Sequence, residues 1–290
     1  MRIAKYHGTG NDFVLVEDLR DEHPVPPALI RALCDRHRGV GADGLIRIVR
    51  ADGADFFMDY WNSSGETAQM CGNGIRCLAK YVFDRGVTGR DEIDVDTRAG
   101  VKHLTLETSD GHVERVTVDM GPPAFRRSEI PMDGDPDGTF LGEPFEVLGR
   151  TYRASAVSMG NPHLVLFLQP EVDLGAADVP RIGSTIEHLP VFPERTNVEF
   201  VQARDGRLSM RVWERGSGET MACGTGACAV LVASNLAGLA KRAADIDVPG
   251  GSLRIDWRDD DHVFLTGPAT FVFEAELDPA WVDAVQPAGA

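Results

Sequence analysis

The chain has 290 residues, a formal net charge of −16 and 43% hydrophobic residues, a size and composition for two globular domains rather than a disordered chain. The acidity serves solubility and excludes the basic stripe that a nucleic-acid partner needs. No stretch approaches the ~20 apolar residues that span a bilayer. The opening Met1 to Gly8 has no apolar run of signal-peptide length, so no membrane partner and a cytoplasmic location are expected.

In chain order, Ile3–Tyr6 and Phe13–Val16 read as strands around the loop His7 to Asp12. Pro24, Pro26 and Pro27 introduce a helix over Ala28 to Arg36. Strands follow at 45–49 and 56–61, a turn at 62–65, and a helix from Cys71 to about Asp84, ended by Gly86. Alternating segments at 93–97, 101–107 and 113–120 stop at Gly121-Pro122-Pro123, and 124–145 reads as a crossover. The order then repeats. There are strands at 145–147, 152–157 and 164–168, a short helix at 182–189, and strands at 197–201 and 208–213. An apolar helix runs from Cys223 to about Leu239, and strands follow at 253–257, 263–266 and 271–276. The expected fold is α+β, two similar domains, each a mixed β-sheet curled around a central helix. The expected halves are 1–121, joined by a C-terminal strand in 269–290, and 122–268.

One motif occurs twice. Gly65-Glu66-Thr67-Ala68-Gln69-Met70-Cys71-Gly72-Asn73-Gly74 is nearly repeated by Gly218-Glu219-Thr220-Met221-Ala222-Cys223-Gly224-Thr225-Gly226, its cysteine 152 residues further on (223 − 71 = 152). A thiol at a helix N-terminus beside glycines has an anion site at hand and a depressed pKa. Gly72-Asn73 and Gly224-Thr225 are placed to hold a carboxylate. Two thiols facing each other across a cleft would move a proton from one face of a carbon to the other. A lone cysteine would more simply be a core residue; the duplication argues otherwise. The five cysteines (34, 71, 77, 223, 228) are odd in number and sparse, so free thiols are expected, with Cys77 and Cys228 as packing residues. The spacings 71→77 and 223→228 do not match zinc knuckles, and no metal is expected.

Polar loops carry Asn11, Asn62, Asn161 and Asn197. Each is a natural turn former, and together they are candidates for a shared polar pocket. In Glu214-Arg215 the guanidinium offers a grip on a carboxylate and the Glu accepts from an ammonium, a pattern that suits an α-amino acid. Taken alone, such a pair is an ordinary solvated one.

The motifs Gly-Thr-Gly-Asn-Asp-Phe, Met-Cys-Gly-Asn-Gly-Ile-Arg-Cys, Gly-Asn-Pro-His, Arg-Thr-Asn-Val-Glu-Phe and Glu-Arg-Gly-Ser-Gly-Glu-Thr-Met-Ala-Cys-Gly-Thr-Gly, in this order, resemble the diaminopimelate epimerase family over nearly the whole chain. The resemblance implies two α/β domains meeting at a cleft, and interconversion of LL- and meso-2,6-diaminopimelate in lysine and peptidoglycan synthesis. It implies no pyridoxal phosphate or other cofactor, no metal, and a homodimer. By resemblance Cys71 and Cys223 are the acid–base pair, and Gly72, Asn73, Gly224 and Thr225 grip the reacting carboxylate. Asn11, Asn62, Asn161, Asn197, Glu214 and Arg215 contact substrate, and His163 and Glu214 tune the thiols. Gly44 stands where many members have Gln, and Ser64 where Asn-x-Asp-Gly is common. Two rivals share the features. A relative acting on proline or hydroxyproline would use the same thiols without needing Glu214-Arg215 as a second clamp. A non-catalytic amino-acid-binding protein would be expected to have lost a cysteine.

Overall fold

The computed structural model describes residues 1–204 and 207–285. It forms two compact units, Met1–Val118 with the segment from Gly267, and Asp119–Thr266.

The first unit begins β1 (Arg2–Gly8), β2 (Asn11–Glu17), α1 (Pro27–Cys34), β3 (Gly44–Val49) and β4 (Phe56–Asn62). It continues α2 (Gly72–Asp84), β5 (Glu92–Asp96), β6 (Lys102–Ser109) and β7 (His112–Asp119). The pairings β1–β2, β3–β4, β5–β6 and β6–β7 are antiparallel, while β2–β3 and β4–β5 are parallel. Parallel neighbours need a crossover, and α1 and α2 supply the two. In α2 ten of thirteen residues are buried, and the helix packs against β1, β2, β3 and β6.

The second unit holds β8 (Leu141–Val147), β9 (Arg150–Ser158), β10 (Pro162–Phe167), α3 (Val179–Glu187), β11 (Asn197–Arg204) and β12 (Arg207–Glu214). Then come β13 (Gly218–Thr220), α4 (Gly224–Leu236), β14 (Ala243–Val248), β15 (Gly251–Trp257) and β16 (Val263–Pro268). From β9 onward the pairing sequence is that of the first unit. β9–β10 is antiparallel, β10–β11 parallel, β11–β12 antiparallel, β12–β14 parallel, and β14–β15 and β15–β16 antiparallel. The parallel pairs are again bridged by helices, α3 and α4. The last elements, β17 (Thr270–Glu276) and α5 (Pro279–Val285), belong to the first unit. β17 lies antiparallel on β1 as β8 lies on β9. The duplicated motif is therefore the visible part of a duplicated topology, each unit a mixed sheet with one central helix.

Several elements differ from the sequence reading. Strand β14 was not expected: Ala243–Val248 buries only Ile246, so it lacks the apolar alternation of a strand. The Gly-rich 216–218 turn runs on into the short β13, and β8 starts at Leu141, inside the expected crossover. α4 ends at Leu236 rather than Leu239. Gly238 (φ 74°) takes the left-handed position, its N–H bonding to Asn235 O and that of Leu239 to Ser234 O. α5 was also missed; it rests on α1 with its side chains only partly covered.

Candidate active site

Both motif cysteines are the N-cap residues of thirteen-residue helices, with nearly the same extended backbone: φ −137°, ψ 117° at Cys71 and φ −119°, ψ 116° at Cys223. The glycines that follow begin each helix, where the first N–H groups have no carbonyl four residues back to bond and the dipole is positive.

Around Cys71, the thiol lies 3.6 Å from Asn11 Oδ1. Asn11 Oδ1 also accepts from Asn73 Nδ2 at 3.2 Å, and Asn11 Nδ2 donates to Asp43 Oδ2 at 2.7 Å. A carboxylate only accepts, so Asp43 fixes which way the Asn11 amide faces: its carbonyl is turned to the thiol. Asp43 is held in turn by Arg36, which also bonds Asp12, and Asp12 is paired with Lys5 at 2.6 Å. Burial works against the Asp12 carboxylate, but the Arg36 and Lys5 bonds outweigh it and hold the group well below the usual carboxylate range. Behind the helix start lies Arg76, 0% exposed. Its guanidinium donates to Gly72 O at 2.8 Å, Asn73 Oδ1 at 3.1 Å, Thr9 Oγ1 at 3.3 Å and Pro268 O at 3.2 Å. Asn62 ends β4 and turns its carbonyl to Ser64 and Glu66, an Asx turn.

Around Cys223, the N-cap sulfur accepts from Gly226 N at 3.4 Å and lies 3.5 Å from Thr225 Oγ1. Thr225 Oγ1 accepts from Asn161 Nδ2 at 3.3 Å, Asn161 Oδ1 meets His163 Nε2 at 3.0 Å, and His163 Nδ1 meets Glu199 Oε1 at 2.6 Å. Asn161 thus contacts Thr225 as Asn11 contacts Asn73, but with the bond reversed: Asn11 accepts and Asn161 donates. Glu214, partly buried at the end of β12, accepts from the Thr220 hydroxyl. Asn197 joins two elements: Nδ2 donates to Pro162 O at 2.8 Å and Oδ1 accepts from Arg215 N at 2.9 Å. The Arg215 guanidinium is exposed and bonds Glu194 O at 3.0 Å, so Glu214 and Arg215 turn to different partners.

The expectation of a depressed thiol fails at Cys223. Burial (6% exposed) pushes it well above its ordinary value, Glu214 and Glu199 push it further, and the bonds from Thr225 and Gly226 only partly offset them. Burial likewise raises Glu214, against bonds from Thr220 and Cys223. Burial also pushes the Cys34 thiol up to about 11 and that of Cys77, one of the expected packing residues, up to about 12.

Sequence reasoning missed Arg76, Glu199 and the Lys5–Asp12–Arg36–Asp43 network. The signal for the first two was there, since each is a charge inside an apolar run. Gly44 has a steric reason: a Cβ there would meet Trp61 O at 2.5 Å and Tyr60 Cε2 at 2.7 Å. Among the described residues no cluster of three His, Cys, Asp or Glu side chains is placed to hold a metal, and no helix is long and apolar enough to cross a membrane.

Comparison with known proteins supplies the rest. The family model described as diaminopimelate epimerase matches residues 3–126 and 155–272. The diaminopimelate epimerase of Pelotomaculum thermopropionicum is 50% identical over 279 residues, 95% of this chain and 98% of that one. That of Acetivibrio thermocellus is 48% identical over 280 residues, 96% and 99%. Solved structures share the fold at low identity. A probable proline racemase from Agrobacterium radiobacter has a TM-score of 0.71 at 14% identity, covering 96% of this chain and 93% of that one. A hydroxyproline epimerase from Agrobacterium vitis has a TM-score of 0.68 at 15% identity, covering 96% and 92%. The chain belongs to the diaminopimelate epimerase family, a family of epimerases.

Proposed function

We propose that this chain interconverts LL- and meso-2,6-diaminopimelate by a two-base mechanism, without cofactor or metal, in the supply of lysine and peptidoglycan precursors. The observation that carries the reading is the pair of motif thiols, each the N-cap of a thirteen-residue helix that opens on glycine. One cysteine, as thiolate, takes the α-proton; the C–H electron pair moves into the carboxylate. The other, as thiol, delivers a proton to the opposite face and becomes the thiolate. The N–H groups at Gly72-Asn73 and Gly224-Thr225, at the positive ends of the two helices, stabilise the charge that develops on the carboxylate. Each sulfur is base in one direction and acid in the other. Burial and two carboxylates hold Cys223 in the thiol form, the form that gives a proton. Asn11, Asn62, Asn161, Asn197, Glu214 and Arg215 bind the substrate, mostly its non-reacting end, and His163 and Glu214 tune the thiols.

We also place the enzyme in the cytoplasm as a homodimer. Phe271, Val272 and Phe273 on β17 are 42%, 51% and 40% exposed and give two copies an apolar strand to share. Light scattering reads the mass directly, and a monomer that Phe273→Lys leaves unchanged ends that part of the reading.

The activity is tested by NMR in D₂O with reduced, metal-free, pyridoxal-free protein. LL-diaminopimelate is compared with proline, lysine and histidine. Exchange of the α-proton and epimerisation only with diaminopimelate are expected. Exchange with another amino acid instead keeps the thiol chemistry and overturns the substrate; exchange with none overturns the enzyme.

A further inference from the structure

The matched pairing order lets the two units be compared residue by residue. On the parallel pairs, Phe13 is opposite Gly44 in the first unit and His163 is opposite Asn197 in the second. Two residues further on, Ile46 and Glu199 are equivalent. The glycines confirm the match: a Cβ at Gly74 would meet Ile46 Cδ1 at 2.7 Å, and one at Gly226 would meet Glu199 Oε1 at 2.7 Å. Under the Cys71 helix the site is therefore filled by Phe13 and Ile46, an apolar pair. Under the Cys223 helix the same site is filled by His163 and Glu199, 2.6 Å apart and both 0% exposed.

This substitution does not serve stability. A buried ionisable pair is generally no better than an apolar pair of like volume, and often worse. Glu199 Oε2 is moreover buried with no hydrogen-bond partner among the described residues, an added cost. The first unit shows that the topology accepts the apolar alternative.

We propose that Glu199 is a positioning residue for the Cys223 thiol, holding the His163 imidazole through Nδ1 so that His163, Asn161 and Thr225 form a fixed chain to sulfur. Strand alternation explains the aim. Val198 and Phe200 face the core under α3, which leaves Glu199 on the α4 face beside Gly226. Nδ1 faces a carboxylate and Nε2 faces the Asn161 amide oxygen, both acceptors, so in this geometry the ring donates through both nitrogens, an imidazolium paired with Glu199. The Asn161 amide then presents its Nδ2 to Thr225, leaving the Thr225 hydroxyl proton free to point at sulfur. Of the titratable groups on the strands packed against α4, Glu199 on β11 and Glu214 on β12 act on the thiol, and His163 on β10 acts on Glu214. Glu199 touches no substrate in this scheme. Its weight in turnover rests on the reading of Cys223 as an acid–base thiol.

The test is the pH dependence of iodoacetamide alkylation at Cys223, read by peptide mass spectrometry, with Cys71 in the same molecules as reference. Wild type is compared with Glu199→Gln and with the double variant His163→Phe/Glu199→Ile, which copies the first unit's filling. We expect the Cys223 midpoint to fall by about one pH unit in Glu199→Gln, because a negative charge is removed, and Cys71 to stay put. The double variant keeps or gains thermal stability, yet its kcat for diaminopimelate falls at least about tenfold with KM nearly unchanged. A Cys223 midpoint and kcat unchanged in both variants make the pair mere filling and overturn the proposal. Alkylation needs no substrate. A shifted midpoint in a protein that never epimerised diaminopimelate refutes the proposed function and leaves Glu199 in its role. Should Glu199→Gln not fold, ¹⁵N-histidine spectra of the wild type decide: hydrogens on both ring nitrogens of His163 are expected, and a bare Nδ1 overturns the assignment.

Discussion

The Cys71 and Cys223 helices begin with the same cap residue and backbone, each beside an asparagine from earlier in the chain, yet they rest on opposite kinds of support. Behind the Cys71 helix lies a buried cation, Arg76, wired to the helix's own first carbonyl. Five residues after Cys223 the equivalent position is Cys228, small and buried, and the charges near the thiol are the carboxylates Glu199 and Glu214. In front of Cys71 an ion network around Asp12 orients Asn11; in the second unit Pro162 follows Asn161 and no such network can form there. Duplication thus preserved what a thiol needs to sit at a helix end, and divergence acted on what surrounds it. A pair of bases that must alternate between acid and base has reason to differ in this way, since identical surroundings would favour the same protonation state in both.

The comparison breaks most sharply at sulfur. Cys71→Ala and Cys223→Ala should each lower epimerisation by at least about 10³-fold, measured by NMR exchange of the α-proton. Near-wild-type activity in one of them would mean that only one copy of the motif works and that the other is a relic. The next largest effect tests the cation. Arg76→Met strands acceptors at Gly72, Asn73, Thr9 and Pro268 and should cost about 3 kcal/mol of stability, seen as a lowered Tm. Cys228→Ala, at the equivalent place, should cost about 1 kcal/mol. Equal costs would show that Arg76 is simply a volume filler.

Much of this was legible beforehand because it lies in local pattern. The cysteine motifs, the helix starts and the strands around 13–16, 45–49 and 197–201 come from apolar spacing and glycine placement, and the structure puts them there. What stayed hidden depends on partners distant in sequence. β14 is a strand because Leu208 and Ser209 pair with it on one side and β15 on the other, not because Ala243–Val248 looks like one. The role of Glu199 is visible only once β10 and β11 are in register and His163 falls beside it. The thiol of Cys223 was expected low because the helix end alone was considered; burial and two carboxylates outweigh it.

The glycine at the third position of each helix, Gly74 or Gly226, sharpens the comparison at a smaller scale. Gly74→Ala pushes on the end of the Ile46 side chain, which can turn aside, and should cost about 1 kcal/mol or less in stability with activity kept. Gly226→Ala pushes on Glu199 Oε1 and also meets Cys223 Cβ at 3.2 Å and Sγ at 3.3 Å. It should cost about 2 kcal/mol and most of the activity. Matching losses in thermal melts and initial rates would remove the distinction drawn between the two floors.

The smallest effect concerns the network that only the first unit has. Asp12 is held ionised by Lys5 and Arg36 despite its burial. Its folded-state pKa is depressed, so the stabilisation it gives is present above the unfolded value of about 4 and is lost as pH falls below it. Arg36 is half exposed, which screens its share, so Asp12→Asn should cost about 1 kcal/mol at pH 7. The gap between variant and wild type should narrow on acidification from about pH 5 towards pH 3. Urea unfolding across that range measures it. A gap that stays constant with pH would mean that Asp12 acts through shape alone and that the charge around Asn11 is incidental; a closing gap, with Cys223 unaffected, would place the charge asymmetry between the two thiols on the first unit's side as well as the second's.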